Sequence, residues 1–184
     1  MLTGLLYAMK GEIESLLPEG AEPEKTVAGV PFYRIRENVV ACCGGVGKGN
    51  AAMATQLFID LYAPGRIVNV GVAGCFENVP IGTLVLADRF MQHDVDTSGI
   101  GDPVGLVSTV NRIDFPTAEL EKAKDAMDGP GTPTGWAAWP PASGSPRSVT
   151  GRGGSPRRST PCSLKWRAAR RHRCVTATRC RSWR

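Results

Sequence analysis

Apolar and polar positions switch between two periods along the first 128 residues, and the switches mark the expected elements. Leu2–Ala8 is an apolar run too short for a helix and reads as a buried strand. Met9 to Leu17 has helical spacing, with Ile13, Leu16 and Leu17 on one face and Pro18 as the stop. Residues 19–29 are polar and broken by Gly and Pro, which predicts a surface turn. Pro31–Arg36 and Asn38–Cys43 alternate as two paired strands around Glu37-Asn38. A helix is expected from Ala51 to Pro64, carrying Met53, Leu57, Phe58, Leu61 and Tyr62. Arg66–Val72 is almost continuously apolar, as a strand covered on both faces would be, and Ala73-Gly74 reads as a tight turn. Gly82–Arg89 predicts another strand, residues 93–104 a polar loop, and Thr117–Met127 a helix with Leu120 and Ala123 inward. Strands alternating with helices define an α/β fold class.

Composition changes this picture at one point, near residue 129. Residues 1–128 hold 10 of the 22 Lys and Arg and all 17 Asp and Glu, a net charge of −7. Residues 129–184 hold the other 12 basic residues and no acid, so the overall +5 describes neither half. All five Phe lie in the first part and all four Trp in the second, and no Ile follows Ile113. After Asp128 the aliphatic residues larger than Ala are Val149, Leu164 and Val175. Such a segment buries too little apolar surface to offset its conformational entropy. The reading is therefore a domain over 1–128 and a basic, low-complexity tail over 129–184.

The six cysteines follow no metal-ligand or disulfide spacing. No apolar stretch approaches the roughly 18 residues of a membrane span, and the N-terminus lacks the basic region and cleavage site of a signal peptide. The expectation is a reduced, cytoplasmic, soluble protein without a metal or cofactor and without a membrane partner.

Two glycine-rich loops follow strands. Gly45-Val46-Gly47-Lys48 lacks the full spacing of a phosphate-binding P-loop and does not match a dinucleotide fingerprint. Taken alone, each loop is a turn that needs positive φ. Their order is more informative. Ala8-Met9-x-x-Glu12 follows the first strand, and the Gly-x-Gly-Lys loop precedes a long helix. Asn69-Val70-Gly71-Val72-Ala73-Gly74, Ile81-Gly82-Thr83-Leu84-Val85 and His93-Asp94-Val95-Asp96 come next. In that order the five segments resemble the bacterial 5′-methylthioadenosine/S-adenosylhomocysteine nucleosidases, a family within the purine nucleoside phosphorylase superfamily.

The resemblance implies a mixed central sheet flanked by helices, a homodimer, a small nucleoside substrate and no cofactor. It implies that Glu12 positions and activates the attacking water, a task suited to a carboxylate beside a dry sugar pocket. Without the resemblance, Glu12 is a first-turn helix acid favoured by the dipole. Val72, Ala73 and Gly74 would line the nucleoside at a strand end, the usual ligand position in open α/β sheets. Many family members carry Ser where this chain has Val72. Met9, Val46, Thr97 and Ile100 would fall near the 5′-alkylthio group, or else serve as ordinary packing. Phosphorylases of the superfamily hold phosphate with an arginine after the first strand. Met9-Lys10-Gly11-Glu12 has none, so water is the expected nucleophile. Purine nucleoside phosphorylase and futalosine hydrolase are the neighbouring alternatives, and an Arg/Trp-bearing tail that binds nucleic acid is a reading of another class.

The family's later segments are missing: the Glu-Met-Glu that holds the ribose hydroxyls, the Ser-Asp whose acid protonates the purine, and the aromatic that stacks on adenine. The tail offers a reason. Leu164-Lys165-Trp166-Arg167-Ala168 can be encoded CTG AAA TGG AGG GCx. Read from the last base of the leucine codon, those bases give Glu-Met-Glu-Gly. A shift of reading frame near residue 129 is therefore expected to have replaced the native C-terminal third. Resequencing the gene is expected to show a second frame that continues the family pattern beyond residue 129, and a gene with no such frame rules the shift out.

Overall fold

The structure, a computed structural model, describes residues 1–74 and 84–128, together with the backbone of four strands within 137–181. The short central strand β1 (Thr3–Tyr7) organises the rest. It lies between β4 (Val39–Cys43) and β5 (Arg66–Gly74) and runs parallel to both, with Thr3 opposite Val39 on one side and Arg66 on the other. The antiparallel strands β2 (Lys25–Val27) and β3 (Val30–Arg36) extend the sheet beyond β4. On the far side of β5 come β12 (Arg173–Arg181), then β6 (Leu84–Leu86), then β9 (Ala137–Ala138). β12 is parallel to β5 and antiparallel to β6, so the sheet is mixed. Two small ribbons stand apart: β7 (Arg89–Met91) with β8 (Asp114–Pro116), and β10 (Ser148–Val149) with β11 (Arg157–Arg158).

Alternation along β1 divides the core between the two faces of the sheet. Leu6 joins Val30, Phe32, Val40, Cys42 and Ile67 under α2 (Lys48–Tyr62), which contributes Ala54 and Phe58. Tyr7 faces the other way, onto Ala41 and onto Ile13 from α1 (Lys10–Ile13). The mixed sheet is thus flanked by helices, as the α/β reading expected. α2 starts where Gly47 adopts a φ of 104°, a conformation that an L side chain rarely takes. It ends at Ala63, in the left-handed region, just before the buried Pro64. Ala51, Ala54 and Phe58 recur at helical spacing on its buried side, whereas Met53 and Leu61 are exposed. Phe58 is fully buried and meets Phe32 edge-on at 5.5 Å and Tyr62 at 5.6 Å.

Several expected boundaries move. The helix expected over Met9–Leu17 is a single α turn followed by a 3-10 turn at Glu14–Leu16, because Leu17 precedes Pro18 and is extended. Leu17 still packs against the Ile13 cluster, but Leu16 is left exposed. The expected surface turn at 19–29 contains β2, whose Lys25 and Thr26 are exposed at the sheet edge and give no apolar signal. Ala73 and Gly74 are the end of β5, not a turn. In the strand expected over Gly82–Arg89, only Leu84–Leu86 joins the main sheet, and Arg89 opens β7. Ile81, Gly82 and Thr83 lie outside the described residues, as does most of the 129–184 segment. α3 covers Leu120–Met127, and Leu120 and Ala123 are only half-buried. Among the described residues, no helix is long and apolar enough to cross a membrane.

Phe58 is the aromatic hinge of the larger core. Phe58→Ala is expected to destabilise the protein by about 3–5 kcal/mol, read as a lowered urea midpoint at unchanged slope.

Candidate active site

Unequal strand lengths create the site. β1 stops at Tyr7, paired near Asn69, while β5 runs on to Gly74. Beyond that point the edge of β5 has lost its strand partner, and a backbone N–H left there would be costly if unpaired. Glu12 supplies the partner. Its Oε1 accepts the Val72 N–H at 2.9 Å, and its Oε2 accepts the Met9 N–H at 2.9 Å and the Ala8 N–H at 3.1 Å. The carboxylate thus ties together the end of β1, the first turn of α1 and the end of β5. A carboxylate offers about four acceptor positions, two on each oxygen. Both positions on Oε2 are taken, and one on Oε1 remains.

The negative charge at Glu12 is felt by two neighbours. Burial pushes the Tyr7 hydroxyl up to about 12, and the Glu12 charge adds to it. Burial also raises the Cys43 thiol, opposed by a backbone hydrogen bond from Gly45 and reinforced by Glu12. Cys43 sits at the end of β4 with its Sγ 3.7 Å from the Ala8 carbonyl. Both groups are therefore held in their neutral forms around a single carboxylate.

Two loops are tied to each other beyond the ends of β4 and β7. The Lys48–Asp94 ion pair ties the start of α2 to the segment after β7. Within the second loop, Asp102 accepts hydrogen bonds from Ser108 Oγ at 2.6 Å and Thr97 Oγ1 at 2.9 Å, which hold its carboxyl below the usual range. Asp96 accepts from the Ser98 N–H at 3.1 Å, at the start of the 3-10 turn Ser98–Ile100.

Of the residues singled out from the sequence, Glu12, Met9 and Val72 are joined directly by hydrogen bonds. Ala73 and Gly74 continue the same strand end. Val46, in the glycine loop, is 68% exposed, Ile100 is 82% exposed and Met9 is 43% exposed. Thr97 is half-buried, and its hydroxyl is engaged by Asp102 instead of facing Glu12. Sequence reasoning missed the backbone donors of Ala8 and Met9, the neutral Tyr7 and Cys43, and the Asp102 brace. It also passed over Gly71 as a contact residue, although a glycine inside an apolar strand is a signal of close approach. Among the described residues, no group of three or more His, Cys, Asp or Glu could hold a metal.

The site is thus a carboxylate held by three backbone N–H groups at the carboxyl ends of parallel strands in an α/β fold. The family follows from comparison: the model of the phosphorylase superfamily matches residues 3–135, and the chain belongs to that superfamily. It is similar to the 5′-methylthioadenosine/S-adenosylhomocysteine nucleosidase of Shewanella pealeana, 33% identical over 128 residues that cover 67% of this chain and 56% of that protein. It also resembles the structure of a mutant Helicobacter pylori nucleosidase with 5′-methylthioadenosine in its active site. The TM-score is 0.62 at 26% identity, over 68% of this chain and 58% of that one. A futalosine hydrolase mutant from the same organism gives the same TM-score at 27% identity, over 69% and 61% of the two chains. The chain spans a little over half the length of the curated nucleosidases it matches.

Because Tyr7 ionises later in the folded protein than its ordinary value of 10, its contribution to stability is complete below pH 10. That contribution is lost as pH rises toward about 12. Stability measured by urea unfolding is expected to fall across that alkaline window, and Tyr7→Phe to flatten the fall.

Proposed function

We propose that the protein belongs to an enzyme that hydrolyses the N-glycosidic bond of 5′-methylthioadenosine or S-adenosylhomocysteine and releases adenine. The observation that carries this reading is the Glu12 carboxylate, fixed by three backbone N–H groups with one position on Oε1 unused. In this reading a water donates to that position, loses its proton to Oε1 and bonds to the anomeric carbon as the bond to the purine nitrogen breaks. The departing adenine takes a proton from a general acid, which this reading places in the family segment that residues 129–184 replace. General acid assistance of this kind is commonly worth roughly 10²–10⁴ in rate. Val72, Ala73 and Gly74 would line the nucleoside, and Met9, Val46, Thr97 and Ile100 the 5′-alkylthio group.

Hydrolysis is preferred to phosphorolysis because the segment after β1 carries Lys10 but no arginine to grip phosphate. The futalosine hydrolase neighbour supports a second reading within the same reaction type, a different purine nucleoside as substrate. The exposed Met9, Val46 and Ile100 side chains support a homodimer in which a second copy covers them. The free thiols Cys42 and Cys43 suit a reduced, cytoplasmic setting. We further propose that residues 129–184 derive from a shifted frame and replace the segments carrying the acid and the ribose-binding carboxylate.

The test is adenine release from 5′-methylthioadenosine, followed with and without phosphate. The chain is expected to release little or no adenine, and any release to be independent of phosphate and abolished by Glu12→Gln. Restoring the alternative frame after residue 128 is expected to raise the rate by about 10²–10⁴. Release that requires phosphate, or that survives Glu12→Gln, rules the proposal out.

A further inference from the structure

Gly71 stands in the middle of β5, where a glycine weakens a strand by its entropy and by the packing it omits. Its backbone does not require glycine, because its φ is outside the left-handed region occupied by the chain's positive-φ residues. Nor does a tight turn, since β5 continues three residues further. The requirement is one of space. A methyl group at residue 71 would lie 3.0 Å from Glu12 Oε1, 3.4 Å from its Cδ and 3.6 Å from its Oε2. The three nearest atoms such a group would meet all belong to that one carboxyl group.

We infer that Gly71 is a positioning residue for Glu12: by carrying no side chain, it lets the carboxylate settle against β5 and bond the neighbouring Val72 N–H. The inference rests on the reading of Glu12 as the base. The carboxylate must approach β5 closely for Oε1 to reach Val72 at 2.9 Å while Oε2 keeps both Ala8 and Met9. Moving it away from residue 71 gives up the Val72 bond first, because the other two bonds come from the chain just before α1 and move with Glu12. The oxygen displaced is the one whose free position would meet water. Gly71 therefore acts on the reaction only through the placement of Oε1.

The experiment is a double-mutant cycle on the full chain: unaltered, Gly71→Ala, Glu12→Ala and the double variant. Gly71→Ala is expected to lower Tm by roughly 5 °C, the scale of mild overpacking in a protein of this size. In the Glu12→Ala background the methyl group has room, and the same change is expected to leave Tm unchanged or raise it. Equal losses in both backgrounds overturn the inference. If Gly71→Ala alone fails to fold, folding of the double variant supports the coupling and failure of both overturns it. Amide NMR supplies a readout that a merely structural role would not move. Gly71→Ala should shift the Val72 N–H upfield and leave the Ala8 and Met9 N–H signals in place, whereas Glu12→Ala should move all three. Unmoved Val72 overturns the inference. Where adenine release is measurable, kcat is expected to fall roughly 10²-fold in Gly71→Ala with KM changed far less. Loss confined to KM overturns it. No release from the unaltered chain is what loss of the general acid predicts; the frame-restored protein then tests the nucleosidase reading, and the Tm cycle and amide shifts decide the role of Gly71 on their own.

Discussion

The structure turns on a mismatch in length between two adjacent parallel strands. β1 ends four residues before β5 in register, and that overhang would leave ladder groups of β5 without partners on that side. A side chain in place of a strand satisfies the edge without closing the space in front of it. Glu12 does this from the first turn after β1, so a single short connection both completes the sheet and sets a charge at its rim. The larger core under α2 makes the platform rigid, and the smaller cluster of Tyr7, Ile13 and Ala41 keeps α1 pressed against it. One carboxylate thus joins three chain segments, with each of its oxygens facing a different one.

The fold was legible wherever burial on both faces or a regular period wrote itself into the chain. The apolar runs of β1 and β5, the β3–β4 pair and the helical pattern through Leu57, Phe58 and Tyr62 in α2 identify the sheet and its main cover, although Ala51 and Ala54, which are buried, were passed over. β2 was invisible because a three-residue edge strand with exposed Lys25 and Thr26 looks like any polar turn. The first helix was read too long because its apolar spacing continues through a 3-10 turn that Pro18 forces to end. Glu12 was marked only by its place in a motif, since an acid in a first helical turn is ordinary. What distinguishes it, a set of backbone donors from two separate segments, exists only after folding. Side-chain sequence carries no trace of which N–H groups a strand end leaves over.

The acidic residues of the chain stop at Asp128, and the match to the phosphorylase superfamily ends close by, at residue 135. Residues 129–184 carry 12 basic residues and no acid, yet the backbone of β12 lies between β5 and β6 in the main sheet.

The loop around Asp102 has a consequence of its own. Its braces run between loop residues, from Ser108 and Thr97 to Asp102, from Gly105 to Val95 and from Val107 to Arg112. Because this scaffolding is internal, residues at its surface such as Ile100 can be exchanged without disturbing either core cluster. The exposed face of this loop can then vary as interchangeable fittings on a fixed frame, and the carboxylate at the strand ends need not be rebuilt each time.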